Sequence, residues 1–416
     1  MNKKTSLSVL LAIATLLLGV QSCATNNEAQ VSAENTPVSS PTAEVSETPE
    51  TQAQTPETSA DPLAEFDMEK AALLTDTAKL LAGMEVDDNS AIASVQDTRA
   101  WNDYAYALNT SWEQLEAQQI SKVRKWAASE LKSINATSPP IFYPFSGPDF
   151  LYGYSLFPEG REFVMVGLEP VGDIPNLQNL SPGQLNSKLQ NVNQSLYAIL
   201  QFSFFRTKDM AVDLADKGVL PILFVFMART NNQILDVNYV GLDKEAKIQI
   251  LDNGENTQGM IPGVKISFLP EGASEPRTVY YFSTDLSDEG LQKTPEFSEF
   301  VRQMGTPVTY LKAASYLMHY DSFSTIRNLI FDQSSHVLQD DSGIPLRYFD
   351  EQKWDLTFYG TYIQPIELFA NMYQPKLRQV YQNNSNIKGL NFGIGYKYYN
   401  DSNLMLATKE DSASQP

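Results

Sequence analysis

The sequence predicts an α+β fold, in which a helix-rich N-terminal half packs on a predominantly antiparallel sheet formed by the C-terminal half. Two patterns carry this prediction. Apolar residues recur every three to four positions through 64–82 and about 96–134, as they do in amphipathic helices. Between 232 and 286 the period falls to two, and turn residues separate the apolar segments. Short connections between such segments are typical of an antiparallel meander.

The longer of the two helical segments carries three tryptophans on one stripe, Trp101, Trp112 and Trp126. A stripe of this kind either forms a ligand surface or belongs to the hydrophobic core. The core is the commoner case for aromatic side chains at helical spacing. We therefore expect this helix to pack its tryptophans inward.

Two further helix starts are predicted from capping signals. In Phe145-Ser146-Gly147-Pro148-Asp149-Phe150, Ser146 is the expected N-cap, Asp149 closes a capping box, and the two phenylalanines form a hydrophobic staple. Leu180-Ser181-Pro182-Gly183-Gln184-Leu185 has the same arrangement, with proline at the first helical position. Because Ser, Gly and Asp also occur together in active-site loops, a catalytic role for the first segment is the alternative.

The remaining elements follow from apolar runs and turn residues. A buried strand is predicted over 162–169, and four meander strands lie around 234–239, 248–250, 264–268 and 279–281. Further predictions are a helix from Pro295 to Gly305, helical segments at 313–318 and 324–331, a hairpin over 336–349 that turns at Asp341-Ser342-Gly343, and strands at 353–359 and 389–398.

The N-terminus has the pattern of an export signal. Lys3 and Lys4 precede an apolar run over 7–20, which is too short to span a bilayer and fits a signal-peptide core. The run ends in Val20-Gln21-Ser22-Cys23, which resembles the lipobox of bacterial lipoproteins. Residues 1–22 are accordingly predicted to be a lipoprotein signal peptide. An ordinary secretory signal followed by an unrelated cysteine is the alternative.

The lipobox resemblance implies where the protein resides. It implies a diacylglyceryl thioether on Cys23, cleavage before this residue, and acylation of the new N-terminus by a chain such as palmitate. Two or three acyl chains anchor a protein stably. Ala24, rather than Asp, follows the cysteine. The protein is then expected in the cell envelope, and in a host with two membranes the sorting pattern of the lipoprotein family implies the outer membrane.

Residues 23–62 are predicted to form the lipid anchor and a disordered tether. From 24 to 62 the segment has seven acidic residues, no Lys or Arg, five prolines and no aromatic, Leu or Ile. Such a segment buries too little apolar area to offset its ordering entropy. Residues 63–416 are then expected to form a single large globular α+β domain, which is long enough for a sizeable core.

Composition excludes several functional classes. The chain of 416 residues has a net charge of −20, with 30 Lys+Arg against 50 Asp+Glu, so a nucleic-acid partner is not expected. A single cysteine permits neither an internal disulfide nor a cysteine-based zinc site. No cofactor motif and no metal site of recognised spacing is present. The clusters Asp252-Asn253-Gly254-Glu255-Asn256 and Asp285/Asp288/Glu289 are either calcium loops or, more commonly, ordinary turns.

One stretch resembles other sequences without implying an activity. Residues 143–172 contain Tyr-Pro-Phe-Ser-Gly-Pro-Asp and Gly-Leu-Glu-Pro-Val-Gly, and they resemble a segment of exported bacterial proteins of uncharacterised function. The resemblance covers about 30 residues and carries no residue role.

Three residues are catalytic candidates: His319, His336 and Glu169. The chain has two histidines, each with Ser and Asp close by in sequence, and a serine hydrolase needs these three types in contact. Glu169 ends a buried strand, where a carboxyl pKa is readily raised. Structural histidines and a salt-bridged or solvent-facing glutamate are the commoner alternatives. Tyrosine is also dense from 348 onward, which fits either a binding face or an aromatic core.

Two hypotheses of function remain. The first is a non-catalytic envelope lipoprotein that binds an envelope protein, a glycan or a small ligand, or has a structural role. The second is an envelope hydrolase with an unrecognised active site. The second hypothesis requires a cleft in which His319 or His336 lies within hydrogen-bond reach of a serine or a carboxylate.

Overall fold

The computed structural model describes residues 61–202, 218–251, 259–398 and 402–410. The predicted signal peptide, Cys23 and nearly all of the tether lie outside these residues, and so does the proposed calcium loop at 252–256. The domain boundary at residue 63 therefore stays a prediction. Among the described residues, none of the helices has the length and apolar character needed to cross a membrane.

The described α-helices fall into an N-terminal and a C-terminal group. The N-terminal group consists of α1 (Met68–Leu81), α2 (Arg99–Leu115), α3 (Ser121–Glu130), α4 (Lys132–Asn135), α5 (Phe150–Leu156), α6 (Pro182–Phe202) and α7 (Leu220–Arg229). The C-terminal group consists of α8 (Asp288–Lys293), α9 (Pro295–Gln303), α10 (Ser324–Gln333) and α11 (Pro375–Asn383). A π-helical turn, Glu116–Ile120, joins α2 to α3. Short 3-10 helices lie at Ala93–Val95, Ala313–His319, Asp321–Phe323, Leu346–Tyr348, Glu367–Met372 and Gly395–Lys397.

One mixed sheet runs through the described residues. Its strands are β1 (Pro140–Tyr143), β2 (Glu162–Gly167), β3 (Asn232–Leu242), β4 (Ile248–Leu251), β5 (Ile261–Pro270), β6 (Arg277–Ser283), β7 (Val308–Leu311), β8 (His336–Gln339), β9 (Trp354–Gly360) and β10 (Asn403–Lys409). Their order is β4-β3-β5-β6-β2-β1-β7-β8-β10-β9. The predicted α+β class is confirmed.

The antiparallel character of the sheet is confirmed only for its outer parts. Strands β4, β3, β5 and β6 form the predicted meander, and β8, β10 and β9 are antiparallel at the other end. The middle is parallel, because β6, β2, β1, β7 and β8 all run in one direction. Parallel neighbours need long crossover connections. Strands β1 and β2 pair with each other, but their other partners, β7 and β6, are distant in sequence, and the periodicity of one segment does not reveal them.

Helices cover both faces of the sheet. The N-terminal group packs with Tyr143, Tyr310 and Leu338 in one core, and the C-terminal group packs with Phe142 and Val337 in the other. Adjacent strand residues such as Phe142 and Tyr143 point to opposite faces, because the side-chain period of a strand is two. The prediction that N-terminal helices cover the sheet is thus correct for one face, and two central strands also come from the N-terminal half.

The two capping predictions have different outcomes. At the second site the prediction is confirmed, because helix α6 begins at Pro182 and Ser181 and Gln184 form reciprocal hydrogen bonds. At the first site the helix begins at Phe150, and its N-cap is Asp149, which accepts the Tyr152 N–H. Ser146 instead accepts the backbone N–H of Val166 at 3.1 Å. The predicted N-cap was wrong because the serine belongs to the contact between this loop and strand β2.

Two C-terminal predictions require correction. Residues 389–398 form no strand in the structure, and they follow a path that includes a 3-10 turn at Gly395–Lys397. The predicted hairpin over 336–349 is also wrong, because β8 pairs with β7 and β10 rather than with residues that follow the turn. In both segments the alternation of apolar residues was correctly observed, but the partners come from elsewhere in the chain.

The aromatic residues are mostly in the core. Trp101, Trp112 and Trp126 are buried, which confirms the core explanation of the tryptophan stripe. In the tyrosine-rich C-terminal part, Tyr359 and Tyr362 are buried, while Tyr373 is 45% exposed. Most of the tyrosines described there contribute to packing, and few are available for a binding face.

Candidate functional site

Three charged side chains meet at the carboxyl edge of the parallel strands. Asp149 lies beyond β1, Lys312 directly follows β7, and Asp340 directly follows β8. Since β1, β7 and β8 are adjacent and parallel, their carboxyl ends lie side by side. Ligands of open α/β sheets commonly bind at this edge. The edge is therefore the strongest candidate site among the described residues.

Lys312 and Asp149 form a buried ion pair. The Lys312 Nζ contacts Asp149 Oδ2, and the two side chains are only 3% and 2% exposed. The same carboxylate oxygen accepts the Tyr143 hydroxyl at 2.8 Å, and the lysine ammonium lies 3.9 Å from the centre of the Tyr152 ring. The pair is thus enclosed by aromatic side chains and linked by hydrogen bonds to the sheet and to α5.

Burial is the largest influence on both members of this pair. It raises the pKa of Asp149 and lowers the pKa of Lys312, because removal from water disfavours both charged forms. The attraction between the two groups opposes both shifts. Loss of either charge would leave the other buried without its partner, so the pair is strongly interdependent.

Asp340 lies on the same face of the sheet as Lys312. Its Oδ1 accepts the backbone N–H of Ser342 at 2.9 Å and also contacts the Ser342 hydroxyl. Ala313, which adopts a φ of 57°, directs its backbone N–H to this carboxylate. Burial, followed by repulsion from Asp341, raises the pKa of Asp340 to about 7. This carboxyl group therefore titrates near neutral pH.

Asp149, Lys312 and Asp340 form one polar cluster. Asp341 belongs to a second polar cluster, on the opposite face of the sheet. Its Oδ2 accepts the Tyr316 hydroxyl at 2.6 Å, and its Oδ1 accepts the Asn403 side-chain amide at 2.9 Å. The Lys397 ammonium is 3.6 Å from Asp341 Oδ1. Because consecutive residues at a strand end point to opposite faces, the Asp340-Asp341 pair joins the two polar clusters.

Two glutamine side chains complete the second cluster. Gln339 donates to the Ile344 carbonyl at 2.7 Å and accepts the Ile344 N–H at 2.9 Å. Gln374 bridges the Asp341 carbonyl and the Leu346 N–H, at 3.0 and 2.9 Å. The small cavity between these groups has room for about one water molecule. Its polar groups are already engaged with one another, so this cavity is not a preformed substrate site.

His319 is buried near the second cluster. Burial, followed by the positive charge of Arg347, lowers the pKa of His319 to about 4, and the carbonyls of Gly343 and Asp341 oppose this shift. The imidazole is therefore neutral at pH 7. Its Nε2 has no hydrogen-bond partner among the residues that the structure describes. A buried neutral imidazole without a serine partner does not form a catalytic triad.

His336 and Glu169 lie elsewhere. His336 begins β8, and its Nδ1 is 3.0 Å from the Ser335 hydroxyl oxygen. That hydroxyl donates to the Pro307 carbonyl at 3.3 Å. The carbonyl of Glu169, beyond the end of β2, accepts the Tyr281 hydroxyl at 2.8 Å.

The three predicted residues are not brought together. His336 and His319 lie toward opposite ends of β8, whose four residues span roughly 13 Å. Strands β1 and β7 lie between β8 and β2 in the sheet. Glu169, which follows β2, is therefore about 14 Å from β8, measured across the strands. The candidates therefore occupy separate surroundings.

Sequence reasoning missed Asp149, Lys312, Asp340 and Asp341 as a group. Asp149 was interpreted as part of a capping box and Asp341 as a turn residue. The available signal is that each charged residue follows a short apolar segment: 140–143, 308–311 or 336–339. Only the knowledge that these segments are adjacent parallel strands predicts their convergence.

The second calcium candidate is engaged in ordinary structural contacts. Asp285 accepts the Ser287 N–H at 2.8 Å, Asp288 accepts the Thr325 N–H at 2.8 Å, and Glu289 pairs with Lys293 at 2.6 Å. Within the described ranges, no group of three or more His, Cys, Asp or Glu residues is arranged to hold a metal ion.

Exposed apolar side chains lie next to Tyr316, a member of the second cluster. The Tyr316 and Phe369 rings stack with their centres 4.3 Å apart, and their sequence neighbours Leu317 and Leu368 are each 40% exposed. We call Leu317 and Leu368 the leucine surface. The two leucines belong to 3-10 helices that contact each other, so they expose apolar area on one part of the molecule.

No protein-family model matches this chain, and no curated protein is similar to it in sequence. Function is therefore inferred from the chemistry of the residues themselves.

Proposed function

We propose that the protein is a lipid-anchored lipoprotein of the cell envelope whose globular part is a non-catalytic binding or structural module. The observation that carries the non-catalytic part is the state of the carboxyl-edge residues. Their charges are buried and engaged with one another, and the adjoining cavity has room for about one water molecule. A substrate would have to displace these contacts before it reached any of the charged groups.

The binding role is supported by the leucine surface. Leu317 and Leu368 are exposed beside the Tyr316–Phe369 stack, in which the Tyr316 hydroxyl donates to Asp341. Exposed aliphatic side chains beside a hydrogen-bonded aromatic side chain offer apolar contact area to a partner. An envelope protein or a glycan is the partner class that we propose for this surface.

Replacement of the lipobox cysteine tests the anchor. We expect Cys23→Ser to move the protein from the membrane fraction to the soluble envelope fraction, since without acyl chains the apolar contact with the bilayer is lost. Fractionation followed by immunoblotting gives the readout, and Ser22→Ala is the matched control that keeps the cysteine. If Cys23→Ser stays in the membrane fraction, the proposed lipid anchor is wrong.

A thermal-shift screen tests the binding role. A ligand that binds only the native state raises the unfolding midpoint, by about 2.7 kcal/mol of stabilisation at a hundredfold excess over its Kd. We expect a saturable shift with a glycan or an envelope-protein fragment, and loss of that shift in Leu317→Ser/Leu368→Ser. His319→Ala, His336→Ala and Glu169→Gln should keep it. A shift that survives the leucine changes would remove the leucine surface from the proposal.

The alternative function is an envelope hydrolase. It is favoured by one observation, the 3.0 Å distance between His336 Nδ1 and the Ser335 hydroxyl oxygen, which is the reach that a serine nucleophile and its base require. The two residues are neighbours in sequence, and the serine hydroxyl already donates to a carbonyl. Catalytic turnover that is lost in both Ser335→Ala and His336→Ala would favour this alternative.

A further inference from the structure

The segment 392–398 crosses the carboxyl edge and covers the buried charges. Its contacts with the rest of the domain include the Gly393 N–H to Gln119 Oε1 at 3.2 Å, the Ile394 N–H to the Ser402 hydroxyl at 2.9 Å, and Lys397 Nζ to the Gln364 carbonyl at 2.6 Å. The Tyr396 ring also lies 5.4 Å from Phe369. We call residues 392–398 the strap.

The strap backbone packs directly against Asp340. Gly395 has a φ of 57°, and a methyl group in place of its α-hydrogen would overlap Asp340 Oδ2 and crowd Lys312 Cγ at 3.3 Å. The approach is so close that glycine is required both for the space and for the left-handed conformation. The strap backbone at Gly395 therefore lies directly against the Asp340 carboxyl group.

The charges beneath the strap do not balance when every group is ionised. The cluster contains three carboxylates, Asp149, Asp340 and Asp341, and two lysines. Lys312 pairs with Asp149, and Lys397, on the strap itself, lies 3.6 Å from Asp341. Lys312 also attracts Asp340, but two lysines cannot balance three carboxylates, and a proton on Asp340 makes the cluster neutral.

We propose that the strap is a proton-controlled cover, which closes over the carboxyl edge when Asp340 is protonated and loosens when Asp340 is ionised. Ionisation places a charge against strap backbone in a site closed to water. Lifting the strap admits water, which solvates the carboxylate. Burial and the neighbouring Asp341 raise the pKa of Asp340 to about 7, which places the transition in an accessible pH range.

Several groups face Asp340 besides its sequence neighbour Asp341. They are Tyr310, Lys312 and Tyr316 from β7 and the segment after it, Tyr143 from β1, and Tyr396 from the strap. Beside them, Asp149 pairs with Lys312, and Lys397 lies 3.6 Å from Asp341. Burial raises the pKa values of all four tyrosines above the ordinary value. The tyrosines therefore stay neutral between pH 5 and 8, and Asp340 is the group expected to change charge.

Hydrogen exchange of the full-length chain tests whether opening of the strap depends on pH. We expect the protection of strap amides, corrected for intrinsic exchange, to fall by up to roughly tenfold per pH unit between pH 5 and 7 and to level off above about pH 7. Peptides from β7 report global stability in the same samples. Strap protection that is constant from pH 5 to 8, or that equals β7 protection at every pH so that the strap opens only with global unfolding, would overturn the proposal.

Two variants separate the switch from general destabilisation. Asp340→Asn cannot ionise, so its strap protection should not vary with pH, whereas the exposed-residue control Asp321→Asn should behave like the parent. Gly395→Ala should lower strap protection by tenfold or more at every pH, because the added methyl overlaps Asp340. A strap in Asp340→Asn that still loosens with rising pH, or a Gly395→Ala strap as protected as the parent, would overturn the proposal.

Discussion

Lys312→Met should destabilise the protein by about 3–5 kcal/mol, which is the usual effect of removing one member of a buried ion pair. The reason is the Asp149 carboxylate, which keeps its hydrogen bonds from Tyr143 and Tyr152 but loses the cation that contacts it. Methionine preserves most of the side-chain volume, so the change mainly removes the charge. Urea denaturation at pH 7, followed by circular dichroism, measures the effect.

The double variant Asp149→Asn/Lys312→Met should recover much of this loss. Asparagine is also a good N-cap, so the start of α5 is preserved, and neither member of the pair is left charged without the other. The exposed pair Lys293–Glu289 provides the control, and Lys293→Met should change stability by less than about 1 kcal/mol. A Lys312→Met effect as small as that of Lys293→Met would contradict the buried ion pair.

Asp340→Asn should make the protein more stable than the parent by an amount that grows with pH, from under about 2 kcal/mol at pH 5 to its full value at pH 8. In the folded state the pKa of Asp340 is about 7, against 3.8 for the free side chain. Below about pH 4 the group is protonated whether folded or unfolded, and stability is lost as pH rises from there to about 7. The full difference corresponds to roughly 4 kcal/mol, and loosening of the strap relieves part of it.

The pH dependence of the difference between Asp340→Asn and the parent is the quantity to measure. Ionisable groups remote from Asp340 contribute equally to both proteins, so the difference reports Asp340 together with the groups that interact with it, chiefly Asp341. Unfolding free energies at pH 5, 6, 7 and 8 define the curve, with Asp321→Asn as the surface control. A difference that does not grow with pH would show that Asp340 is ionised in the folded protein at pH 5.

The local parts of the fold were predictable from sequence. Periodicity gave α1, the long α2–α3 segment and the meander of β3, β4, β5 and β6, because each of these depends on neighbours close in the chain. The parallel centre was not predicted, because β2 pairs with β6, more than a hundred residues later. Strand β10 was also missed, since its partners β8 and β9 are set by tertiary packing.

The candidate site was not predictable for a related reason. His319, His336 and Glu169 were chosen by residue type, and the topology places them apart. Lys312 and Asp340 have no distinctive sequence context, and they acquire unusual chemistry only because adjacent strands bring them to one buried edge. Burial, which shifts their pKa values, is a property of the complete fold.

The central claim is that the globular part binds without catalysing. The most direct test incubates the full-length protein with the glycans, peptidoglycan fragments, lipids and peptides of the binding screen, and analyses each compound by mass spectrometry. We expect the compound that shifts the unfolding midpoint to be recovered unchanged. Conversion of any compound by the parent protein, and its loss in His336→Ala, would contradict the account and establish the hydrolase alternative.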